Sequence, residues 1–91
     1  MSAEAKPRPE NLVEEIREGN VTISIWRNEG PSGPYCSASR PQNAYKDEQG
    51  KWHNDVNNYS AFDAKCLALA ALRVEKKLRE LSREAKQAEA A

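Results

Sequence analysis

From Ala61 to the end of the chain, the sequence contains neither glycine nor proline, and alanine, leucine, glutamate, lysine and arginine fill most positions. These are the residues with the highest helix propensities. Ser60 can accept a hydrogen bond from a free N–H of the first turn, and Asp63 places a negative charge at the positive end of the helix dipole. The segment therefore predicts one long C-terminal helix, whose apolar side chains need cover.

The predicted helix carries two apolar stripes. Phe62, Cys66 and Leu69 form a short stripe that we expect to cover a sheet. The second stripe alternates spacings of three and four residues, which is typical of a heptad seam, and consists of Ala64, Leu67, Ala71, Val74, Leu78, Leu81, Ala85 and Ala88.

The seam predicts that the protein is a homodimer. A chain of 91 residues, of which 38% are hydrophobic, buries only part of its surface. A second copy of the helix is the simplest cover for the seam, so the predicted dimer interface consists of Leu67, Ala71, Val74, Leu78 and Leu81. The alternative is a monomer whose helix frays near its C-terminal end.

The middle of the chain predicts an antiparallel sheet. Val21, Ile23 and Ile25 alternate with more polar neighbours, which indicates a strand over residues 20–29 with one apolar face. A glycine- and proline-rich turn follows, and a second strand is expected over 35–40, until Pro41 interrupts it. Pairing resumes at 44–46, a hairpin loop spans 47–50, and a third strand covers 51–56.

The N-terminal part is predicted to be a leader that precedes the folded domain. Pro7 and Pro9 lie among small and charged residues, so residues 1–9 read as disordered. Residues 10–18 are expected to form a short helical turn that ends at Gly19. The prediction is an α+β domain over 20–91, in which a three- to four-stranded antiparallel sheet is followed by one long C-terminal helix that dimerises.

No catalytic or metal chemistry is predicted. His53 is the only histidine, and Cys36 and Cys66 are thirty positions apart in the sequence. A closed zinc site needs four ligands, or three plus water, so His53 and Asp55 are better explained as a surface pair. Neither a P-loop nor a GxGxxG motif occurs. We therefore expect no enzyme activity, no cofactor and no small-molecule substrate.

The sequence favours the cytoplasm as the location. It contains no run of about 18 apolar residues and no secretory signal, so neither a membrane span nor membrane binding is expected. In a reducing compartment both cysteines would be free thiols.

Aromatic and basic residues recur together in the sheet region. These are Trp26, Arg27, Tyr35, Arg40, Tyr45, Lys46, Lys51 and Trp52. Single-stranded nucleic acid is held by such combinations, because rings stack on bases and cations meet phosphates. The alternation that points Val21, Ile23 and Ile25 to the core points Trp26 away from it. Against this stands the balance of 14 basic and 14 acidic residues, since nucleic-acid binders are usually basic.

Both tryptophans also have a structural explanation. Trp26 can pack at the edge of the core, and Trp52 can anchor its strand in the core. The cations of the helix are interleaved with glutamates, which is typical of a solvated helix face.

The motifs Ile-Trp-Arg-Asn-Glu (25–29), Tyr-Lys-Asp (45–47) and Gly-Lys-Trp (50–52) resemble those of a group of short bacterial proteins of unassigned role. In layout the chain is also similar to the transcriptional positive cofactor four and the Whirly proteins. That resemblance implies a curved antiparallel sheet, dimerisation through the helices, and single-stranded DNA or RNA bound on the sheet.

Two functional hypotheses follow. The first is a small dimeric protein that binds single-stranded nucleic acid on its sheet. The second is a protein–protein interaction module, or a subunit of a larger assembly without catalytic activity. Zero net charge and the long helix favour the second hypothesis.

Overall fold

A computed structural model describes residues 9–55 and 58–90 and shows one antiparallel sheet with one long helix. The strands are β1 (Leu12–Glu18), β2 (Val21–Gly30), β3 (Gly33–Ala38), β4 (Gln42–Lys46) and β5 (Trp52–Asp55), and the helix is α1 (Ala61–Ala90). The α+β class is confirmed, and the sheet has five strands where three to four were predicted. Residues 1–8 of the predicted leader, residues 56 and 57 after β5, and residue 91 lie outside the described residues.

The short helix predicted over 10–18 is wrong, because this segment forms β1. Glu18 pairs with Val21 across a two-residue turn, in which Gly19 has a φ of 56°. A glycine with positive φ at the first loop position is typical of a type II′ hairpin turn. The strand also buries Ile16 opposite Ile23. An isolated nine-residue helix is marginal in water, so pairing with β2 decides the structure.

β2 is the central strand, with β1 on one edge and with β3 and β4 sharing the other edge. The interruption predicted at Pro41 is confirmed, since β3 ends at Ala38 and β4 begins at Gln42. Ser39 bridges the gap: its N–H donates to the Ser24 carbonyl (2.7 Å), and its hydroxyl accepts from the Ser24 N–H (3.0 Å). β3 and β4 therefore follow β2 as one strand with a bulge between them.

The core lies between α1 and one face of the sheet. The sheet contributes Ile16, Val21, Ile23 and Ile25, and α1 contributes Cys66, Ala70 and Val74. The alternation along β2 thus buries the three residues that the sequence predicted. The predicted sheet-covering stripe of the helix is wrong in part, because Cys66 is buried while Phe62 is 56% exposed and Leu69 is 45% exposed.

The predicted dimer seam covers the chain's own sheet. Val74 is only 6% exposed, and Leu67, Leu78 and Leu81 pack against the same core, whereas Ala71 is exposed. The expectation that Leu78 and Leu81 lack cover within the chain is therefore wrong. The β2–β3 hairpin lies next to them: Cys36 packs against the same core, and Pro34 and Cys36 line a groove together with the two leucines. Homodimerisation itself stays a prediction.

The start of α1 is fixed by hydrogen bonds to the sheet. The Ser60 hydroxyl accepts from the Asp63 N–H (3.1 Å), which confirms Ser60 as the N-cap. The side-chain amide of Asn43, buried in β4, donates to the Asp63 carboxylate (3.1 Å) and to the Asn58 carbonyl (3.4 Å). The bond from Asn43, followed by that from Ser60, lowers the pKa of Asp63 below its ordinary value.

Candidate functional site

The sheet has one face against α1, and no other helix or strand among the described residues packs on the opposite face. Side chains that are directly opposite on paired strands share a face, and residues two apart on one strand do so as well. These rules define the open face, which consists of Leu12, Glu15, Arg17, Thr22, Ser24, Trp26, Asn28, Tyr35, Ser37, Gln42, Ala44, Lys46, Trp52 and Asn54.

Trp52 is the most exposed ring of the open face. Its residue surface is 60% exposed, although it is paired with β4 as the first residue of β5. Lys46 is its partner on β4, and the Lys46 ammonium lies 5.8 Å from the centroid of the Trp52 ring. The structure thus places a cation over the ring of an accessible indole. The alternative of Trp52 as a core residue is excluded by its exposure.

Trp26 and Tyr35 form a second aromatic group on the same face. Trp26 lies opposite Ser37, and Tyr35 is two residues before Ser37, so the two rings are diagonal neighbours on β2 and β3. Tyr35 is 55% exposed, and its ring lies over the backbone of Gly30, where an added Cβ would be 3.0 Å away. Trp26 is half-buried and faces away from α1, as the alternation in the sequence predicted.

A polar cavity of about 310 Å³ lies on the open face next to Trp52. Arg17, Thr22, Gln42, Trp52 and Asn54 are among its lining residues. The Arg17 guanidinium donates to the Thr22 hydroxyl through Nε (3.3 Å), which holds its charge over the sheet. The two amide side chains offer both donors and acceptors. The cavity can therefore take a planar polar group against the Trp52 ring.

The open face contains only part of the predicted binding set. Trp26, Tyr35, Lys46 and Trp52 lie on it. Arg27 and Tyr45 lie instead on the strand side that faces α1: Arg27 is opposite Cys36, and the Tyr45 ring stacks on His53 with centroids 5.1 Å apart.

Arg40 and Lys51 are exposed and belong to connections rather than to strands: Arg40 follows β3 and Lys51 precedes β5.

Arg17, Thr22, Gln42 and Asn54 were missed by the sequence reasoning. Arg17 lies in the segment that was taken for a helix, so its position opposite Thr22 was hidden. A hairpin prediction from the Gly19–Asn20 dipeptide would have revealed it, since such dipeptides often close two-residue β-turns. The amides carry no distinctive signal in the sequence.

Charge is divided unevenly between the two faces of the sheet. The charged residues of the open face are Glu15, Arg17 and Lys46. Two other glutamates of β1 point towards α1, where Glu18 pairs with Arg73 (2.7 Å) and Glu14 with Lys77 (3.5 Å). The chain as a whole has zero net charge, but on the open face basic residues outnumber acidic residues.

Asp47 organises the loop that presents β5. Its carboxylate accepts from the backbone N–H groups of Gln49 (2.9 Å) and Lys51 (2.8 Å), and His53 Nε2 lies 2.8 Å from its other oxygen. These bonds, of which the one with His53 contributes most, lower the pKa of Asp47. The link between His53 and Asp47 steadies the hairpin next to Trp52, while the side chain of Asp55, the predicted partner of His53, lies outside the described side chains.

Neither a metal site nor a membrane span emerges in the described part of the chain. No group of three or more His, Cys, Asp and Glu side chains in residues 9–55 and 58–90 is arranged to hold a metal ion. Within the same ranges, no helix combines the length and the apolar character that crossing a membrane requires.

Comparison with protein-family models, curated proteins and solved structures finds no match to this chain. Its function is therefore inferred from the geometry of the open face.

Proposed function

We propose that the protein binds single-stranded nucleic acid, DNA or RNA, on the open face of its sheet. The observation that carries this proposal is that Trp26, Tyr35 and Trp52 share with Arg17 and Lys46 the one face that α1 leaves uncovered. Sheets that hold unpaired bases combine exposed rings with cations in this way.

Stacking on Trp52 is the central interaction of the proposed complex. An indole that is 60% exposed on a regular strand is already in position, so a base stacks without rearrangement of the backbone. Lys46 beside the ring is placed to meet the phosphate of the stacked nucleotide. Each stacked base contributes about 1–3 kcal/mol.

The polar cavity favours unpaired strands over duplexes. Gln42 and Asn54 line it next to the Trp52 ring, so a stacked base can turn its hydrogen-bonding edge towards their amides. In a duplex the faces of the bases are stacked on one another and their Watson–Crick edges are paired. Neither the ring nor the amides would then find a partner.

The few cations of the open face imply a shallow dependence on salt. Contacts from Arg17 and Lys46 to two phosphates give a slope of about −1.4 for log K against log salt on a single strand. If Arg40 and Lys51 also contact phosphates, the slope approaches about −2.8. Most of the affinity would then come from stacking, which salt affects little.

The test is a titration of a labelled single-stranded oligonucleotide of about 16 nucleotides, a length within the range of known sheet-type sites. We expect quenching of tryptophan fluorescence, and weaker binding when Trp52 is replaced with alanine, by about 5- to 150-fold. Tyr45→Ala is the matched control, because Tyr45 is 45% exposed on the neighbouring strand but points to the other side.

Equal losses for Trp52→Ala and Tyr45→Ala would contradict the assignment of the face. The absence of binding to any single strand at low salt, with protein at about 10⁻⁴ M where even non-specific complexes form, would contradict the function itself.

A second copy of the chain is not needed to complete this face, since one chain supplies all its rings and cations. The homodimer is therefore a separate part of the proposal, which sedimentation at increasing protein concentration tests. If a dimer forms, Val74 is not part of its interface, because it is buried in the core, whereas Leu78 and Leu81 are only partly buried.

A further inference from the structure

One exposed side of α1 carries a regular stripe of apolar and basic residues, whose first member, Phe62, also lies beside the β1–β2 turn at Gly19. Its members are separated alternately by three and four positions, so they lie along one line of the helix. This outer stripe consists of Phe62, Lys65, Leu69, Leu72, Lys76, Arg79 and Arg83, and all seven residues are exposed.

The apolar part of the outer stripe lies in the first half of the helix. Phe62 is 56%, Leu69 is 45% and Leu72 is 66% exposed. Single exposed apolar residues are ordinary on a protein surface, but three on one line form a ridge. The helix beneath them is held in place, because Cys66 and Ala70 are buried against the sheet.

The basic part of the outer stripe flanks and extends this ridge. Lys65, Lys76 and Arg83 make no ion pair with any described residue, and Arg79 pairs with Glu75 on its own helix. The Lys65 ammonium lies 5.2 Å from the centroid of the Phe62 ring. The outer stripe itself contains no acidic residue. Its cations are therefore available to a partner.

The charges exclude a second copy of the same stripe as the favoured occupant. An antiparallel pair centred between Leu69 and Leu72 would place Lys65 of one copy beside Lys76 of the other. A parallel pair would place every cation beside its own counterpart. Like charges at such positions are destabilising in both arrangements.

The mixture of apolar and basic residues also argues against a nucleic acid or a membrane surface as the occupant. Phosphates of a nucleic acid would engage the cations but leave Leu69 and Leu72 in water. A helix that lies in a membrane interface keeps its apolar and basic residues on different sides. Here both kinds lie along one and the same line of the helix, from Phe62 to Arg83.

We propose that the outer stripe docks an acidic amphipathic helix of another protein. Apolar side chains of the partner would cover Leu69 and Leu72, and its carboxylates would face Lys65, Lys76 and Arg83. The stripe spans about 22 residues, or roughly 33 Å of helix, which gives room for about six turns of a partner. The site lies on the opposite side of the molecule from the open face and does not depend on the function proposed for that face.

The test uses a synthetic helical peptide of about 22 residues, with leucines opposite Leu69 and Leu72 and glutamates opposite the cations. A peptide with lysines in place of the glutamates is the comparison. Fluorescence anisotropy with the full chain should show that the acidic peptide binds, and that the double change Lys65→Glu and Lys76→Glu weakens binding by about tenfold or more. The same double variant should bind the lysine peptide better than the unchanged protein does.

Two further variants make the result specific. Leu72→Ala should weaken binding of the acidic peptide, because it removes the most exposed apolar contact. Trp52→Ala should leave that binding unchanged, because Trp52 belongs to the open face. Circular dichroism of each variant should match that of the unchanged chain, as the replaced side chains are exposed.

Several outcomes would overturn the proposal. These are no binding of the acidic peptide, equal binding of both peptides, or no effect of the Lys65 and Lys76 changes. It is equally overturned if the peptide fails while vesicles of phosphatidylserine and phosphatidylcholine, or an oligonucleotide, bind the unchanged protein and lose binding in the double variant. The stripe would then be a lipid or nucleic-acid surface.

Discussion

Replacing Gly19 with alanine should destabilise the fold by about 2–5 kcal/mol, because two separate costs arise at one position. The first is conformational. Gly19 has a φ of 56°, which lies in the left-handed region, and a residue with a Cβ adopts that conformation at a cost of about 1–2 kcal/mol.

The second cost of the Gly19 replacement is steric. An added Cβ would lie 2.6 Å from Cys66 Sγ and 3.3 Å from Phe62 Cε2. Phe62 is 56% exposed and can move aside, but Cys66 is only 4% exposed and is enclosed between α1 and the sheet. The turn or the helix must therefore shift, and overpacking of this kind costs about 1–3 kcal/mol.

Two companion variants separate these costs. Gly50 has a φ of 83°, but the nearest atom to its added Cβ is Lys46 Cε at 3.8 Å, so Gly50→Ala should show the conformational cost alone. Combining Gly19→Ala with Cys66→Ala removes the sulfur that the new methyl group meets. In a double-mutant cycle, the double variant should be destabilised by about 1–2 kcal/mol less than the sum of the two single variants.

Urea denaturation followed by tryptophan fluorescence measures these three variants and Cys66→Ala alone, which completes the cycle, with midpoints compared at an unchanged slope. If Gly19→Ala destabilises no more than Gly50→Ala, the steric argument is refuted. A coupling of zero between Gly19 and Cys66 would refute it independently. Either result would mean that Gly19 in the β1–β2 turn does not pack closely against Cys66 of α1.

Three further predictions concern the cap, the β4–β5 loop and the core. Ser60→Ala should lower the free energy of unfolding by about 0.5–2 kcal/mol, because it removes the acceptor of the Asp63 N–H, and urea denaturation checks this value. The pKa of Asp47 is lowered in the folded state by its bond with His53, so its contribution to stability is present above the unfolded-state value near 3.8 and is lost as the pH falls through the folded value. Asp47→Asn should therefore flatten the stability profile in acid, and a profile of unchanged steepness would contradict this role. Ile25→Ala, at a side chain with no exposed surface, should cost about 2–5 kcal/mol in the same denaturation assay.

The elements governed by local chemistry were predictable from the sequence. Helix propensity and the cap at Ser60 placed the start of α1, alternation placed β2, and the missing N–H of Pro41 placed the break between β3 and β4. Each of these signals acts within a few residues. They hold because no distant contact opposes them.

The elements that depend on distant pairing were not predictable in the same way. Leu12, Val13 and Ile16 have spacings that suit one side of a helix, and only the partner strand β2 makes this segment a strand. The helix offered two apolar stripes, and the length of the β2–β3 hairpin decides that Leu78 and Leu81 meet the sheet. The length of the β2–β3 hairpin could not be predicted from the sequence, because it depends on how far β3 pairs with β2.

The candidate site shows the same division. The face of Trp26 followed from alternation within one strand. Tyr45 and Arg27 were grouped with it by closeness in the sequence, yet closeness does not determine the face. The alternation of side chains between the two faces cannot be counted across the bulge at Pro41, because one strand has an extra residue there relative to its neighbour.

The bulge around Ser39 joins the two hairpins that carry the rings of the open face. Trp26 and Tyr35 stand on the β2–β3 hairpin above it, and Trp52 stands on the β4–β5 hairpin below it. Extra residues at a bulge sharpen the local twist, so the angle of this one backbone segment sets the distance between the upper and lower rings. For the proposed complex, this distance would set the spacing of the stacked bases, although Ser39 itself need not touch the nucleic acid.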